Sequence, residues 1–120
     1  MKNQKLSGWG SVAVHGGHKK DPSYSHLTPL YASSTYIFDS AEQGMRRFTG
    51  QEEGYIYGRW GNPTITEAEQ KIAALETFGT GKEATAILHS SGMAAITTLM
   101  MSTLSQGDKI LSHFSLYGGT

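Results

Sequence analysis

The chain has 120 residues, of which 38% are hydrophobic, and its ten basic residues balance its ten acidic ones. This composition is typical of a globular protein, and the zero net charge argues against nucleic acid or an anionic membrane as partner, so we expect a small-molecule partner. The absence of cysteine excludes disulfides and thiolate catalysis, and the five histidines have no metal-ligand spacing, so no metal site is expected. Without a secretory leader or an apolar run near the ~20 residues of a membrane span, the expected location is cytoplasmic.

The first half of the chain predicts an arm, an extended segment and a short helix. Residues 1–21 are polar and punctuated by glycine, and we interpret them as an arm without a core of its own. Residues 29–38 are rich in β-branched and aromatic side chains and are predicted to be extended. A short helix is predicted to begin at Ser40, which forms a capping-box pattern with Gln43, and to end before Gly50.

The second half predicts alternating helices and strands. Thr64 and Glu67 repeat the capping-box pattern at the start of a helix that is expected to reach Phe78 and Gly79. A short apolar strand at 84–88, an apolar helix at 93–104 and a second strand at 109–112 then form a βαβ unit with parallel strands. The predicted class is α/β with an incomplete, parallel-rich sheet. Because parallel sheets are covered on both faces, we expect more chain to follow.

Residues 55–64 (Tyr-Ile-Tyr-Gly-Arg-Trp-Gly-Asn-Pro-Thr) carry the pattern that points most directly to a ligand. If this stretch is extended, Tyr57 and Arg59 point the same way, and they offer a phenolic donor and a charged fork of donors that suit a phosphate. The alternative is a surface pair, or an arginine stacked on Trp60 or Tyr55.

Two further patterns lie at the ends of the predicted strands. Ser91 and Gly92 stand where the first strand meets a helix, so free backbone N–H groups and the positive end of the helix dipole suit a phosphate there. A serine-capped turn without a ligand is the alternative. Tyr117 follows the second strand, at the sheet edge where ligands bind, and either stacks on a planar ring or has a structural role.

Taken in this order, Tyr-Gly-Arg-Trp-Gly-Asn-Pro-Thr, Ser-Ser-Gly-Met-Ala-Ala and Tyr-Gly-Gly-Thr make the chain resemble the Cys/Met-metabolism family of pyridoxal-phosphate enzymes. That family includes cystathionine γ-synthase, cystathionine lyases, methionine γ-lyase and the O-acyl-homoserine sulfhydrylases. The resemblance implies the beginning of a fold-type I, aspartate aminotransferase-like large domain. Residues 1–62 would be the arm and a short helix that contact another subunit, and residues 63–120 the start of the domain that binds pyridoxal 5′-phosphate.

The resemblance also implies a role for each candidate residue. Tyr57 and Arg59 would bind the cofactor phosphate of the neighbouring subunit in a dimer of dimers. Tyr117 would stack on the pyridine ring and assist catalysis. The phosphate of the chain's own subunit would be bound by the turn before the helix, that is, by Ser91, Gly92 and Met93. The lysine that holds the cofactor and the aspartate that pairs with its ring nitrogen are expected after residue 120.

The resemblance therefore predicts γ-elimination or γ-replacement on sulfur amino acids or O-acyl-homoserine, in methionine biosynthesis or cysteine metabolism, by a full-length parent enzyme. The 120-residue chain alone is expected to be inactive. Methionine γ-lyases usually carry a cysteine where this chain has Gly119, and Trp60 is also unusual, so the type of enzyme stays open. The alternatives are a non-catalytic remnant or cofactor-binding module, and a single-stranded nucleic-acid binder that stacks bases on Tyr55, Tyr57 and Trp60.

Overall fold

A computed structural model describes residues 8–120 of the chain, in which four α-helices are formed. The helices are α1 (Trp9–His15), α2 (Ala41–Phe48), α3 (Pro63–Glu76) and α4 (Gly92–Thr103). The chain divides into two compact units, the first ending at Ala86 and the second comprising Ile87–Thr120. None of the helices in the described part is long and apolar enough to cross a bilayer.

Helix α1 lies in the stretch that was predicted to be an arm without a core. It packs on α3, and its Val12 is only 5% exposed. Two glycines follow α1 where the backbone has close neighbours, Gly16 beside α1 itself and Gly17 beside α3. A Cβ atom on Gly16 would lie 2.6 Å from the Val12 carbonyl oxygen, and one on Gly17, whose φ is +76°, would lie 2.6 Å from the Glu67 carbonyl oxygen. The arm therefore contains a helix and a small core that the sequence pattern did not indicate.

Helix α2 confirms the predicted helix and most of its capping box. The Ser40 hydroxyl accepts a hydrogen bond from the Gln43 backbone N–H at 3.1 Å, as expected for an N-cap. The Gln43 side chain accepts from the N–H of Asp39 at 2.7 Å, one residue before the position that a capping box uses. The helix ends at Phe48, and Gly50 follows with a positive φ of +72°.

Helix α3 forms where it was predicted, but the prediction that Thr64 and Glu67 form a capping box is wrong. The N-cap is Asn62, whose Oδ1 accepts from the Thr64 N–H at 2.9 Å, and Pro63 occupies the first helical position. Glu67 accepts a hydrogen bond from the hydroxyl of Thr28, in the arm. The helix ends at Glu76, two residues before the predicted end at Phe78.

The described residues contain no strand, so the predicted parallel sheet is not formed in this structure. Residues 84–88 and 109–112 have no regular secondary structure, whereas α4 between them begins and ends within one residue of its predicted bounds. A parallel strand needs a paired neighbour strand and covering layers on both faces of the sheet. Leu111, which is 99% exposed, has no such layer over it. Residues 29–38 were predicted to be extended, and in the structure they form one antiparallel bridge, between Thr35 and Tyr57.

Candidate functional site

Of the pair that was predicted to be extended, Tyr57 lies in an antiparallel bridge with Thr35, whereas Arg59 lies in the turn that follows. The carbonyl oxygen of Tyr57 accepts from the N–H groups of Trp60 at 2.8 Å and Gly61 at 3.1 Å, which closes the turn. The two side chains meet all the same, because the Arg59 guanidinium carbon lies 5.6 Å from the centroid of the Tyr57 ring. The structure therefore brings the predicted pair together by a cation–π contact. We call residues 57–62 the clamp loop.

Arg59 differs from the other two arginines of the chain in its electrostatic surroundings. Arg46 and Arg47 both bind the carboxylate of Glu52, at 2.9 and 3.2 Å. Although desolvation raises the pKa of Glu52, the hydrogen bonds from these arginines and from Gln43 lower it more, so the pKa lies below its ordinary value. No carboxylate of the described residues lies within 4.0 Å of the guanidinium of Arg59.

Exposure makes the Arg59 charge available to a ligand. Both Arg59 and Tyr57 are exposed, and Tyr57 retains 41% of its surface. An uncompensated guanidinium beside a phenol presents a planar fork of donors together with one further donor, which matches the oxygens of a phosphate. The clamp loop therefore has the chemistry of an anion site, with no internal anion to compete for it within the described chain.

The start of α4 is a second place with free donors. Ser91 is the N-cap: its hydroxyl accepts from the Ala94 N–H and its carbonyl from the Ala95 N–H, both at 3.1 Å. The N–H groups of Gly92 and Met93 are left without an acceptor among the described residues, as is usual in the first turn of a helix. A Cβ atom on Gly92 would meet nothing within 4 Å, so an anion can approach the backbone closely.

Of the three residues predicted for this turn, Ser91 therefore uses its hydroxyl to cap the helix, while Gly92 and Met93 offer backbone donors. Tyr117, in the same unit, is 83% exposed, and its carbonyl oxygen accepts from the Thr120 N–H at 2.8 Å. No hydrogen bond or ring contact joins Tyr117 to the start of α4 in this structure. Its ring is free to stack on a planar group.

A cavity of about 310 Å³ in the first unit was not indicated by the sequence pattern. The hydroxyl of Tyr36 is shielded from solvent there and has no hydrogen-bond partner among the described residues, and desolvation raises the pKa of this phenol. The only hint in the sequence was the group of tyrosines in two neighbouring extended segments. The main lining residues are Tyr31, Tyr36, Tyr55, Pro63 and Glu67.

An exposed arginine–tyrosine pair and an open helix start are what a phosphate-bearing cofactor needs, and comparison with known proteins identifies the class. The sequence profile of the Cys/Met metabolism PLP-dependent enzymes matches residues 10–120. The chain therefore belongs to this family, as its motifs predicted, and the cofactor of the family is pyridoxal 5′-phosphate.

The relatives in this family are trans-sulfuration enzymes. The chain is 48% identical over 116 residues to an L-methionine gamma-lyase of Fusobacterium nucleatum, covering 97% of this chain and 28% of that enzyme. It is 39% identical over 110 residues to an O-succinylhomoserine sulfhydrylase of Pseudomonas aeruginosa, covering 92% of this chain and 26% of that enzyme. The chain thus spans little more than a quarter of the length of these relatives.

A solved structure shows the same fold. A Campylobacter jejuni protein assigned as an O-acetylhomoserine (thiol)-lyase, which contains N′-pyridoxyl-lysine-5′-monophosphate, has 34% sequence identity and a TM-score of 0.72. The match covers 83% of this chain and 23% of that one. This similarity confirms the fold-type I class that the resemblance implied, although the strands of its sheet are not formed in the described residues.

Proposed function

We propose that the chain is the N-terminal part of a PLP-dependent enzyme that catalyses γ-elimination or γ-replacement on sulfur amino acids or O-acyl-homoserine. The observation that carries this proposal is Arg59, which stacks on Tyr57, is exposed and has, among residues 8–120, no carboxylate partner such as Arg46 and Arg47 have. An arginine in this state fits a phosphate, and in this family the phosphate belongs to the cofactor. Methionine γ-lyase and homoserine sulfhydrylase relatives support the substrate class.

The residues present fit the phosphate group of pyridoxal phosphate. At the start of α4, the N–H groups of Gly92 and Met93 would donate to phosphate oxygens, and the positive end of the helix dipole would favour the negative charge. The open space above Gly92 admits the group without a clash. In the clamp loop, Arg59 would add charge-assisted hydrogen bonds and Tyr57 a phenolic one.

The bound cofactor withdraws electrons from the amino-acid substrate, which weakens the bonds at its α-carbon. We assign the contribution of this chain to that chemistry to Tyr117. Its ring, 83% exposed, would stack on the pyridine ring and fix its plane, and its Oη would carry a proton to or from the substrate. The residue that holds the cofactor covalently would lie outside this chain, so residues 8–120 would bind and orient the cofactor without being active alone.

We further propose that the complete enzyme is a cytoplasmic dimer of dimers in which Tyr57 and Arg59 bind the phosphate held by α4 of a neighbouring subunit. Residues 1–62 would provide the inter-subunit arm, and residues 63–120 would begin the cofactor-binding domain. With the remaining strands in place, residues 84–88 and 109–112 would pair within a parallel-rich sheet, because both segments then gain neighbours and covering layers.

The test is to express the full-length protein that begins with this sequence, measure bound pyridoxal phosphate by absorbance, and assay two reactions. Elimination is followed as release of thiol and 2-oxo acid from methionine or cystathionine, and replacement as thiol transfer to O-acetyl- or O-succinyl-homoserine. We expect bound cofactor and at least one activity, and the ratio of the two rates assigns the type. A protein that binds no cofactor contradicts the proposal, and turnover by the 120-residue chain alone contradicts its assignment as an inactive part.

A further inference from the structure

The clamp loop is tied at both ends to the same short segment, residues 31–36. At its start, Tyr57 forms the antiparallel bridge with Thr35, and the Gly58 N–H donates to the Ser34 carbonyl oxygen at 2.7 Å. At its end, Asn62 reaches back to the beginning of the same segment. The turn that presents Arg59 therefore lies between two anchors on one piece of backbone.

Asn62 provides the second anchor with a single side chain. Its Nδ2 donates to the carbonyl oxygens of Tyr31 at 2.8 Å and Ser33 at 3.4 Å, while its Oδ1 accepts from the Thr64 N–H at 2.9 Å. Asn62 is 9% exposed and is the buried polar residue of the described chain. Capping α3 needs only the oxygen of this amide. The two hydrogen bonds from the nitrogen serve a different purpose, since they tie the clamp loop to residues 31–33.

We infer that Asn62 is a positioning residue for the phosphate clamp. This inference rests on the proposed function, because it assumes that Arg59 binds a cofactor phosphate. Arg59 is exposed and has no carboxylate partner among the described residues, so the place of its guanidinium is set by the backbone turn and by the Tyr57 ring. If the turn were free at one end, it would have to be ordered when the phosphate binds, and affinity would fall. Asn62 orders it beforehand, three residues from Arg59.

The amide of Asn62 also explains why a serine or threonine would not serve equally well at this N-cap. Ser40 and Ser91 cap α2 and α4 with one hydroxyl each. A hydroxyl at position 62 would still accept from the Thr64 N–H, but it is shorter than an amide and would lose the two bonds to residues 31 and 33. The substitution Asn62→Ser therefore keeps the N-cap hydrogen bond and removes the hydrogen bonds that join the clamp loop to residues 31–33.

The experiment compares two ligands on the full-length protein after removal of its cofactor: pyridoxal 5′-phosphate, and pyridoxal, which lacks the phosphate. We expect Asn62→Ser to raise the Kd for pyridoxal phosphate about tenfold, since two neutral hydrogen bonds that hold the loop are lost. The Kd for pyridoxal should stay unchanged, because the clamp touches only the phosphate. An equal loss for both ligands overturns the inference, since it would indicate general damage to the fold.

A double variant tests whether Asn62 acts through Arg59. If it does, Asn62→Ser added to Arg59→Ala costs no further affinity, because the guanidinium that Asn62 positions has already been removed. If the increases in Kd of the two single variants multiply in the double variant, the inference is overturned. Ser40→Ala is the matched control, because it removes a helix cap of similar worth at α2, outside the clamp loop, and should leave the Kd for both ligands unchanged.

A second variant covers the case in which Asn62→Ser does not fold. The Thr64 hydroxyl accepts from the Tyr31 N–H at 2.9 Å and so ties α3 to the same segment. Thr64→Val should raise the Kd for pyridoxal phosphate and leave the Kd for pyridoxal unchanged. Thr64→Ser, which keeps the hydroxyl, should bind pyridoxal phosphate as the wild-type protein does. Wild-type-like phosphate binding by Thr64→Val overturns the inference. Failure of the wild-type protein to bind pyridoxal phosphate at all is a separate outcome that overturns the proposed function itself.

Discussion

If Arg59 binds the phosphate of a neighbouring subunit, two differently damaged subunits should repair one site when they assemble together. The first subunit carries Arg59→Ala, which removes the clamp and leaves the start of α4 intact. The second carries Gly92→Asp, which blocks the start of α4 and leaves the clamp intact. Each variant alone places one defect in every site, so neither should bind the cofactor normally.

The structure sets the size of each defect. A hydrogen bond to a charged group contributes about 1.5–3 kcal/mol, so loss of the Arg59 fork should weaken phosphate binding by roughly ten- to a hundredfold. A Cβ atom on Gly92 meets nothing within 4 Å, so Gly92→Asp is accommodated, and its carboxylate would lie where the phosphate must sit. An acidic side chain in the first turn favours the helix by about 0.3–1 kcal/mol, so this subunit should fold while it repels the cofactor.

Random mixing of the two subunits makes half of the dimers hybrid. In each hybrid, one of the two sites combines an intact clamp from one subunit with an intact α4 start from the other, so the expected activity is about a quarter of the wild-type value. The assay is specific activity at low pyridoxal phosphate, after co-expression and after separate purification and mixing. Activity that stays at the level of the single variants would refute the trans arrangement, because sites built within one subunit are damaged in every hybrid.

The remaining predictions concern the arm, the ring-stacking residue and acid stability. Gly17→Ala should destabilise the protein more than Gly50→Ala in thermal unfolding, because both positions have a positive φ but only Gly17 lies against the α3 backbone; the difference should be about 1–3 kcal/mol, and equal losses would show that this close approach is absent. Tyr117→Phe should retain cofactor affinity and lower kcat about a hundredfold or more, and an unchanged kcat would remove its Oη from proton transfer. Hydrogen bonds from Ser23 lower the pKa of Asp21 below its ordinary value of 3.8. Because the folded pKa is the lower one, the stabilisation is complete above pH 3.8 and is lost as the pH falls through the folded pKa. Amide exchange at Ser23 should show this pH dependence, and Asp21→Asn should abolish it.

Helices with strong local signals were predicted well from the sequence. The Ser40 and Ser91 caps both form, and α4 is found within one residue of its predicted bounds. The N-cap of α3 was assigned to Thr64 because of its capping-box spacing to Glu67, although Pro63 at the first helical position and the preference for asparagine indicate Asn62. The amide nitrogen of Asn62 also donates to the carbonyl oxygens of Tyr31 and Ser33, which lie about thirty residues away in the sequence. Long-range contacts of this kind leave no local pattern.

The predicted and the observed secondary structure differ at α1 and at residues 84–88 and 109–112, and the two differences have different physical causes. Helix α1 was missed because Gly10 lowers the local helix propensity, and its stability comes from packing on α3, which propensity does not include. The strands at 84–88 and 109–112 were predicted from short apolar runs between turns, in the order of a βαβ unit. That pattern describes a segment suited to a covered sheet, and in residues 8–120 no such sheet is present to receive it.

The two elements proposed to bind phosphate depend on the rest of the chain in different ways. The donors at the start of α4 are backbone N–H groups fixed by the helix itself, with Ser91 as a local cap, so they need only α4 to fold. The position of Arg59 depends instead on residues 31–36, which hold the clamp loop at Thr35 and through Asn62. Substitutions in that segment should therefore change phosphate affinity without touching the cofactor. The clamp is thus the element through which changes in the arm can reach the site.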